Sequence, residues 1–188
     1  MNPVEPIRDI GKLTAIKRTL RKRSPRDYLL FTLGVNSALR VGDLLRLKVE
    51  DVTDGKLKVR EFLTLREQKT GKDKRVKLNE AVTEAVDYFI AEAKPKRSDL
   101  LFASPRTGKA LSRVQVWRLL NKWALDAGIT DRIGAHSMRK SWGYQARKQG
   151  VPLELIQAKL GHSSPAVTRR YIGITADEIE RVEDDVNL

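Results

Sequence analysis

Cysteine is absent from this 188-residue chain, which excludes disulfides and thiolate metal sites and suits a reducing, cytoplasmic setting. No run of 18 apolar residues occurs, so no segment reads as a membrane span. The opening stretch MNPVEPIRDIGKL has no apolar core of the kind a secretory signal needs. Internal repeats, low-complexity tracts and long linkers are missing as well. Histidine occurs only twice, so each of its positions can be weighed alone. Acidic residues are the scarcer sign: 24 Asp and Glu stand against 37 Lys and Arg, a net charge of +13 and a pI near 10.1.

What remains is a globular composition, 40% hydrophobic and 32% charged, in a length that fits one domain with a core of its own. The charge is unevenly placed. Residues 172–188 carry six acidic side chains against the single Arg181, a net of −5, so residues 1–171 carry +18. A compact body with that excess repels itself unless a polyanion shares the load, and nucleic acid is the usual polyanion.

Patterning predicts a mainly α domain with a small antiparallel β-sheet, an α+β class. TAIKRTLRKR reads as the body of a basic leading helix over about 12–23. Ser24-Pro25 is an N-cap followed by proline at the first helical position, opening an apolar helix over 26–39, and VGDLLRL (41–47) predicts a short helix. GKLKVREFLTLREQ and DKRVKLN then alternate apolar and polar residues, the period of half-exposed strands. KTGK between them supplies a turn, giving a sheet within 56–78. Helices are predicted over 80–93, 112–127, 136–149, 153–160 and 165–183.

Six residues invite a chemical reading. His136 and Arg139 stand three apart, on one helical face. His162 follows Leu160-Gly161, where the glycine predicts a left-handed helix end, and Tyr171 falls about two turns into the next helix. Arg40 lies at a junction between helices, and Lys69 at the tip or edge of a hairpin. Taken singly, each has an ordinary structural explanation: a cap, a surface charge, a core aromatic.

As an ordered series, ALRVGDLLRL, KTGKDKRVKL, HSMRKSWG and LGHSSPAVTRRY resemble the catalytic domain of the tyrosine recombinases, the phage-integrase family. The resemblance implies transesterification at a DNA phosphodiester, with Tyr171 as nucleophile and a 3′-phosphotyrosine intermediate. Neither ATP nor another cofactor is implied, and no metal. It casts Arg40 and Arg139 as the clamp on the non-bridging oxygens, where a single such donor contributes about 3–4 kcal/mol to the transition state. His136 would bond the phosphate or accept the tyrosine proton, Lys69 would protonate the leaving 5′-oxygen, and His162 would bond a phosphate oxygen. Asp43 would orient its neighbours. Candidate DNA contacts are Arg113, Gln115 and Arg118 at the start of helix 112–127, with Lys72, Lys140 and Arg169.

The same resemblance suggests self-association on double-stranded DNA as a tetrameric synapse, with an acidic C-terminal helix over about 174–188. Ile172, Ile179, Val182 and Val186 lie near one stripe of that segment, which would pack on its own core or dock on a neighbouring protomer. About 35 residues precede ALR, too few for a separate helical bundle. The expectation is therefore a single catalytic domain over 1–188 with no separate N-terminal DNA-clamping domain. Two alternatives are a type IB topoisomerase-like relaxing enzyme, which uses a similar residue set, and a non-catalytic DNA-binding module of the same fold.

Overall fold

The computed structural model describes residues 4–174. Helix α1 (Ile10–Arg23) starts two residues before the predicted leading helix, because the Asp9 carboxylate accepts the N–H groups of Gly11 and Lys12. Ser24 serves two helices. Its N–H closes α1 on the Leu20 carbonyl at 2.9 Å, and its Oγ accepts the Asp27 N–H at the start of α2 (Pro25–Ser37). Helix α2 is the core of the molecule, with Leu29, Leu30, Phe31 and Leu33 wholly buried among α1, α5 and α7.

Two four-residue helices follow, α3 (Val41–Leu44) and α4 (Val49–Val52), the second of which the sequence pattern does not predict. Strands β1 (Phe62–Arg66) and β2 (Asp73–Lys77) pair antiparallel, Phe62 opposite Lys77 and Arg66 opposite Asp73. The sheet begins later than its predicted start near 56. There the Asp54 carboxylate takes the N–H groups of Lys56 and Lys58 at 2.8 and 2.9 Å and folds the segment into a turn.

Helices α5 (Glu80–Ala93), α6 (Arg113–Asp126), α7 (Ser137–Lys148), α8 (Leu153–Leu160) and α9 (Pro165–Ile172) match the predicted positions. The exception is the end of α9, predicted to run to 183. It stops at Ile172, where Gly173 adopts φ 78° and its N–H bonds back to Arg169. The remainder of the predicted acidic helix, with Ile179, Val182 and Val186, lies outside the described residues. Ile172 itself is fully buried in a satellite core with Ala38, Ala146, Ile156 and Leu160.

That satellite core seats α9 on α7. A Cβ built on Gly143 would lie 2.6 Å from Ile172 Cγ2, so the two helices touch backbone to side chain. Gly143→Ala is expected to cost about 1–3 kcal/mol, the usual penalty of overpacking. It should also shift Tyr171, the neighbour of Ile172. A lowered Tm together with slowed reaction of the tyrosine would confirm the contact; an unchanged Tm would show that α9 floats free of α7.

Candidate active site

Arg40 is the N-cap residue of α3, two residues after a conformational exception. Ala38 ends α2 at φ 56°, ψ 24°, in the left-handed region, at a cost of about 1–2 kcal/mol for an alanine. Glycine would relieve that cost, but the Ala38 methyl is fully buried in the satellite core. The kink turns the chain so that the Ala38 carbonyl meets Arg139 while Arg40, two residues on, reaches the cleft.

Arg139 is nearly fully buried on α7. One terminal nitrogen of its guanidinium donates to the Ala38 carbonyl and the other to the Leu160 carbonyl. Two segments far apart in sequence, one leading to Arg40 and one leading to His162, are thereby fixed to a single cation. A guanidinium has five N–H donors, so donors remain for a ligand.

The half-buried Tyr171 faces this arginine. Its hydroxyl lies 3.4 Å from His136 Nδ1. Its ring packs edge-on against His162, centroids 4.7 Å apart, and the Lys140 ammonium sits 5.3 Å from its centroid. Burial pushes the phenol above its ordinary range, and the Arg139 and Arg40 cations work against that rise. His136, the N-cap residue of α7, makes no side-chain capping bond. Desolvation by the surrounding protein, then the charges of Arg139, Lys140, Arg40 and Lys69, pull it below the usual histidine range. The shift favours the neutral imidazole, whose unprotonated ring nitrogen is able to accept a proton. His162 is lowered similarly, by desolvation and then Arg139 and Arg40, and its Nδ1 lies 3.1 Å from Thr168 Oγ1.

A cleft of about 420 Å³ opens beside these residues, lined by Arg40, Asp43, Gln68, Lys69, Arg113 and His136 among others. Lys69 stands exposed in the turn between β1 and β2. Asp43, 2% exposed, accepts the Gln68 N–H at 2.9 Å and Arg46 Nη2 at 3.3 Å. It thus anchors the start of the Lys69 turn to α3. Among the described residues no group of three or more His, Asp or Glu is arranged to hold a metal ion.

The predicted DNA contacts divide. Arg113 lines the cleft, and Lys72, Arg118 and Arg169 are exposed. Gln115 spends its side-chain oxygen on the Ser112 N–H at 2.8 Å, completing a capping box for α6. Lys140 is buried rather than presented to solvent, because the segment ahead of α1 covers that side of α7. The Ile7 N–H bonds Ser141 Oγ at 2.7 Å, and Gln145 reaches the Arg8 carbonyl at 2.7 Å.

Sequence reasoning missed Glu67 and Lys74. Glu67 Oε1 lies 2.7 Å from Arg40 Nη1 and 3.3 Å from Lys74 Nζ, and Thr70 Oγ1 donates to Oε2 at 2.8 Å. Burial alone would raise this carboxyl, but the Thr70 hydrogen bond and the nearby Arg40 and Lys74 cations bring it down to about 2. Its contribution to folding is complete above the ordinary carboxylate range and is lost as pH falls from there toward 2. Lys74 shares the inward face of β2 with Val76, and a lysine two positions from a buried valine in an alternating strand is the signal that could have revealed it.

Fold and site together define a class: a mainly helical domain in which a tyrosine and a buried arginine stand beside a cation-lined cleft. The Phage integrase family model matches residues 8–178, and the chain belongs to that family. It is 37% identical over 177 residues to the probable integrase/recombinase YoeC of Bacillus subtilis, covering 94% of this chain and 93% of that protein. It is 30% identical over 164 residues to the tyrosine recombinase XerA of Pyrococcus furiosus, covering 87% of this chain but 55% of that one. The fold is shared with the crystal structure of a XerA recombinase (TM-score 0.77, 21% identity, 99% of this chain and 64% of that one). It is shared also with XerH bound to a palindromic difH substrate after cleavage (TM-score 0.75, 22% identity, 98% and 54%).

Proposed function

We propose that the chain is the catalytic unit of a site-specific DNA recombinase of the integrase type. The observation that carries this reading is the Tyr171 hydroxyl, set 3.4 Å from His136 Nδ1 and beside the Arg139 and Arg40 cations. The named relatives are integrases and recombinases, which favours it over a supercoil-relaxing enzyme or a non-catalytic module.

In the proposed step the Tyr171 oxygen attacks the scissile phosphorus as its proton passes to His136 Nδ1. The new bond is O–P to the tyrosine, and the bond to the 5′-oxygen breaks, leaving a 3′-phosphotyrosine and a free 5′-hydroxyl protonated by Lys69. Arg40 and Arg139 hold the non-bridging oxygens while charge grows on them, and His162 donates to the same phosphate. Reversal with a hydroxyl from another duplex rejoins the strands, so the phosphodiester energy is conserved in the covalent link. Exchange between two duplexes needs one protomer for each cleaved strand. The proposal therefore includes assembly into a tetramer on double-stranded DNA.

The decisive test is a covalent trap: incubation with a pooled library of nicked duplexes in EDTA, followed by a search for denaturant-resistant protein–DNA adducts. Adducts support the reading, and their sequencing begins to define the site; DNA binding without adducts would leave only a binding module. The Lys69 assignment has its own check. Lys69→Ala is expected to slow cleavage by about 10²–10⁴-fold, the range of general-acid contributions. A bridging 5′-phosphorothiolate, whose sulfur leaves without a proton, should restore the rate. Failure of that rescue would remove Lys69 from the donor role.

A further inference from the structure

We propose that Glu67 and Lys74 are a positioning pair that ties the phosphate-binding Arg40 and the hairpin turn of Lys69 into one unit. The inference rests on the recombinase reading above. Glu67 reaches both partners at once. Its side chain holds Arg40 and Thr70, and its backbone closes the turn: the Gly71 N–H donates to the Glu67 carbonyl and the Glu67 N–H to the Lys72 carbonyl, each at 2.9 Å. Lys69 sits inside that loop, one residue from Thr70.

Lys74 extends the connection across the molecule. Its ammonium donates to the Lys159 carbonyl at 3.0 Å, and the next carbonyl along, that of Leu160, takes Arg139. Arg139 also holds Ala38, two residues before Arg40. The bonds run from Arg40 through Glu67, Lys74, the end of α8 and Arg139 and return to the chain at Arg40. Every side chain in that circuit is at most half-exposed, so its geometry is set before DNA arrives.

Charge explains why two residues are needed. A lone carboxylate against Arg40 would cancel the cation meant for the phosphate and repel the phosphate itself. Lys74 neutralises Glu67 from the inner side, leaving the arginine's charge for the ligand. Among the described residues, the cations facing Lys74 are Arg139 and Lys159, and the anion facing it is Glu67. Desolvation first, then Arg139, bring the Lys74 ammonium down to about 8, against the pull of Glu67. The protonated form is therefore held largely by the carboxylate.

Variants Glu67→Gln, Lys74→Met and the double change test the pair in single-turnover cleavage of nicked duplexes carrying oxygen or sulfur at the bridging 5′ position. Glu67→Gln is expected to lose about 100-fold on oxygen, the scale of a misplaced catalytic group, and to recover part of it on sulfur, which bypasses the misplaced Lys69 but not the loosened Arg40. Lys74→Met should lose about as much without sulfur rescue, since Glu67 then opposes Arg40. The double variant should cleave faster than Lys74→Met alone. Equal losses of Glu67→Gln on both substrates, or a double variant no faster than Lys74→Met, would overturn the pairing.

A second readout needs no cleavage. Titration of the Lys74 side chain by NMR in the DNA-free protein should move to lower pH in Glu67→Gln, and an unchanged midpoint would refute the pair. If the wild type forms no adduct yet the midpoint moves, the pair stands as a structural unit and the recombinase reading is what fails.

Discussion

Replacing Tyr171 with phenylalanine is expected to abolish the covalent adduct while leaving DNA binding close to that of the wild type. The substitution removes one oxygen. The ring keeps its edge-on contact with His162 and its place beside the Lys140 ammonium, and Ile172 remains anchored in the satellite core. The hydroxyl's hydrogen-bonding partner, His136 Nδ1 at 3.4 Å, is open to the cleft and can be solvated in its absence. The stability change should therefore stay within about 1 kcal/mol, the net worth of one such bond. Cleavage should fall by about 10⁶-fold, as when a nucleophile is lost, which places it below detection in the trap. Gel-shift affinity, dominated by phosphate contacts and falling steeply with salt, should change little. An adduct in Tyr171→Phe would mean that another side chain is the nucleophile.

The parts of this molecule that obey local rules were open to reading from the sequence, and the parts that depend on convergence were not. Ser24-Pro25 and Ser164-Pro165 open helices, and Gly161 closes one at φ 62°, because caps are decided within four residues. The order Arg40, Lys69, His136, Arg139, His162, Tyr171 was legible for a different reason: the family pattern is written in it. What brings these residues together is not local. Arg139 joins two carbonyls that lie 122 residues apart, Ala38 and Leu160, and no periodicity announces such a bond. Lys140 turns inward because the segment ahead of α1 folds back over α7, a packing choice that the pattern of α7 cannot contain. Gly173 ends α9 where the apolar stripe alone suggested continuation. Glu67 resembled any charge near a hairpin until Arg40, Thr70 and Lys74 were seen around it.

Arg139→Ala is the second large effect expected, and it should strike twice. Chemically, the variant loses a phosphate donor in a site where each contributes about 10²–10³-fold, and Tyr171 loses the foremost of the cations that oppose its burial. The two losses compound to about 10⁴-fold or more in cleavage. Structurally, the Ala38 and Leu160 carbonyls are left without their donor in a buried setting, at about 1–3 kcal/mol each. The Tm should fall accordingly, unlike in Tyr171→Phe. Arg139→Lys separates the two roles. It restores a cation beside Tyr171, but a single ammonium cannot span both carbonyls in the guanidinium's planar geometry. It should recover part of the stability and little of the rate, because Arg40 and His162 would no longer be held to one point. Near-wild-type cleavage by Arg139→Lys would show that charge alone suffices at this position. Cleavage lost with the Tm unchanged in Arg139→Ala would show that the two carbonyls find other partners and that the arginine acts on the phosphate alone.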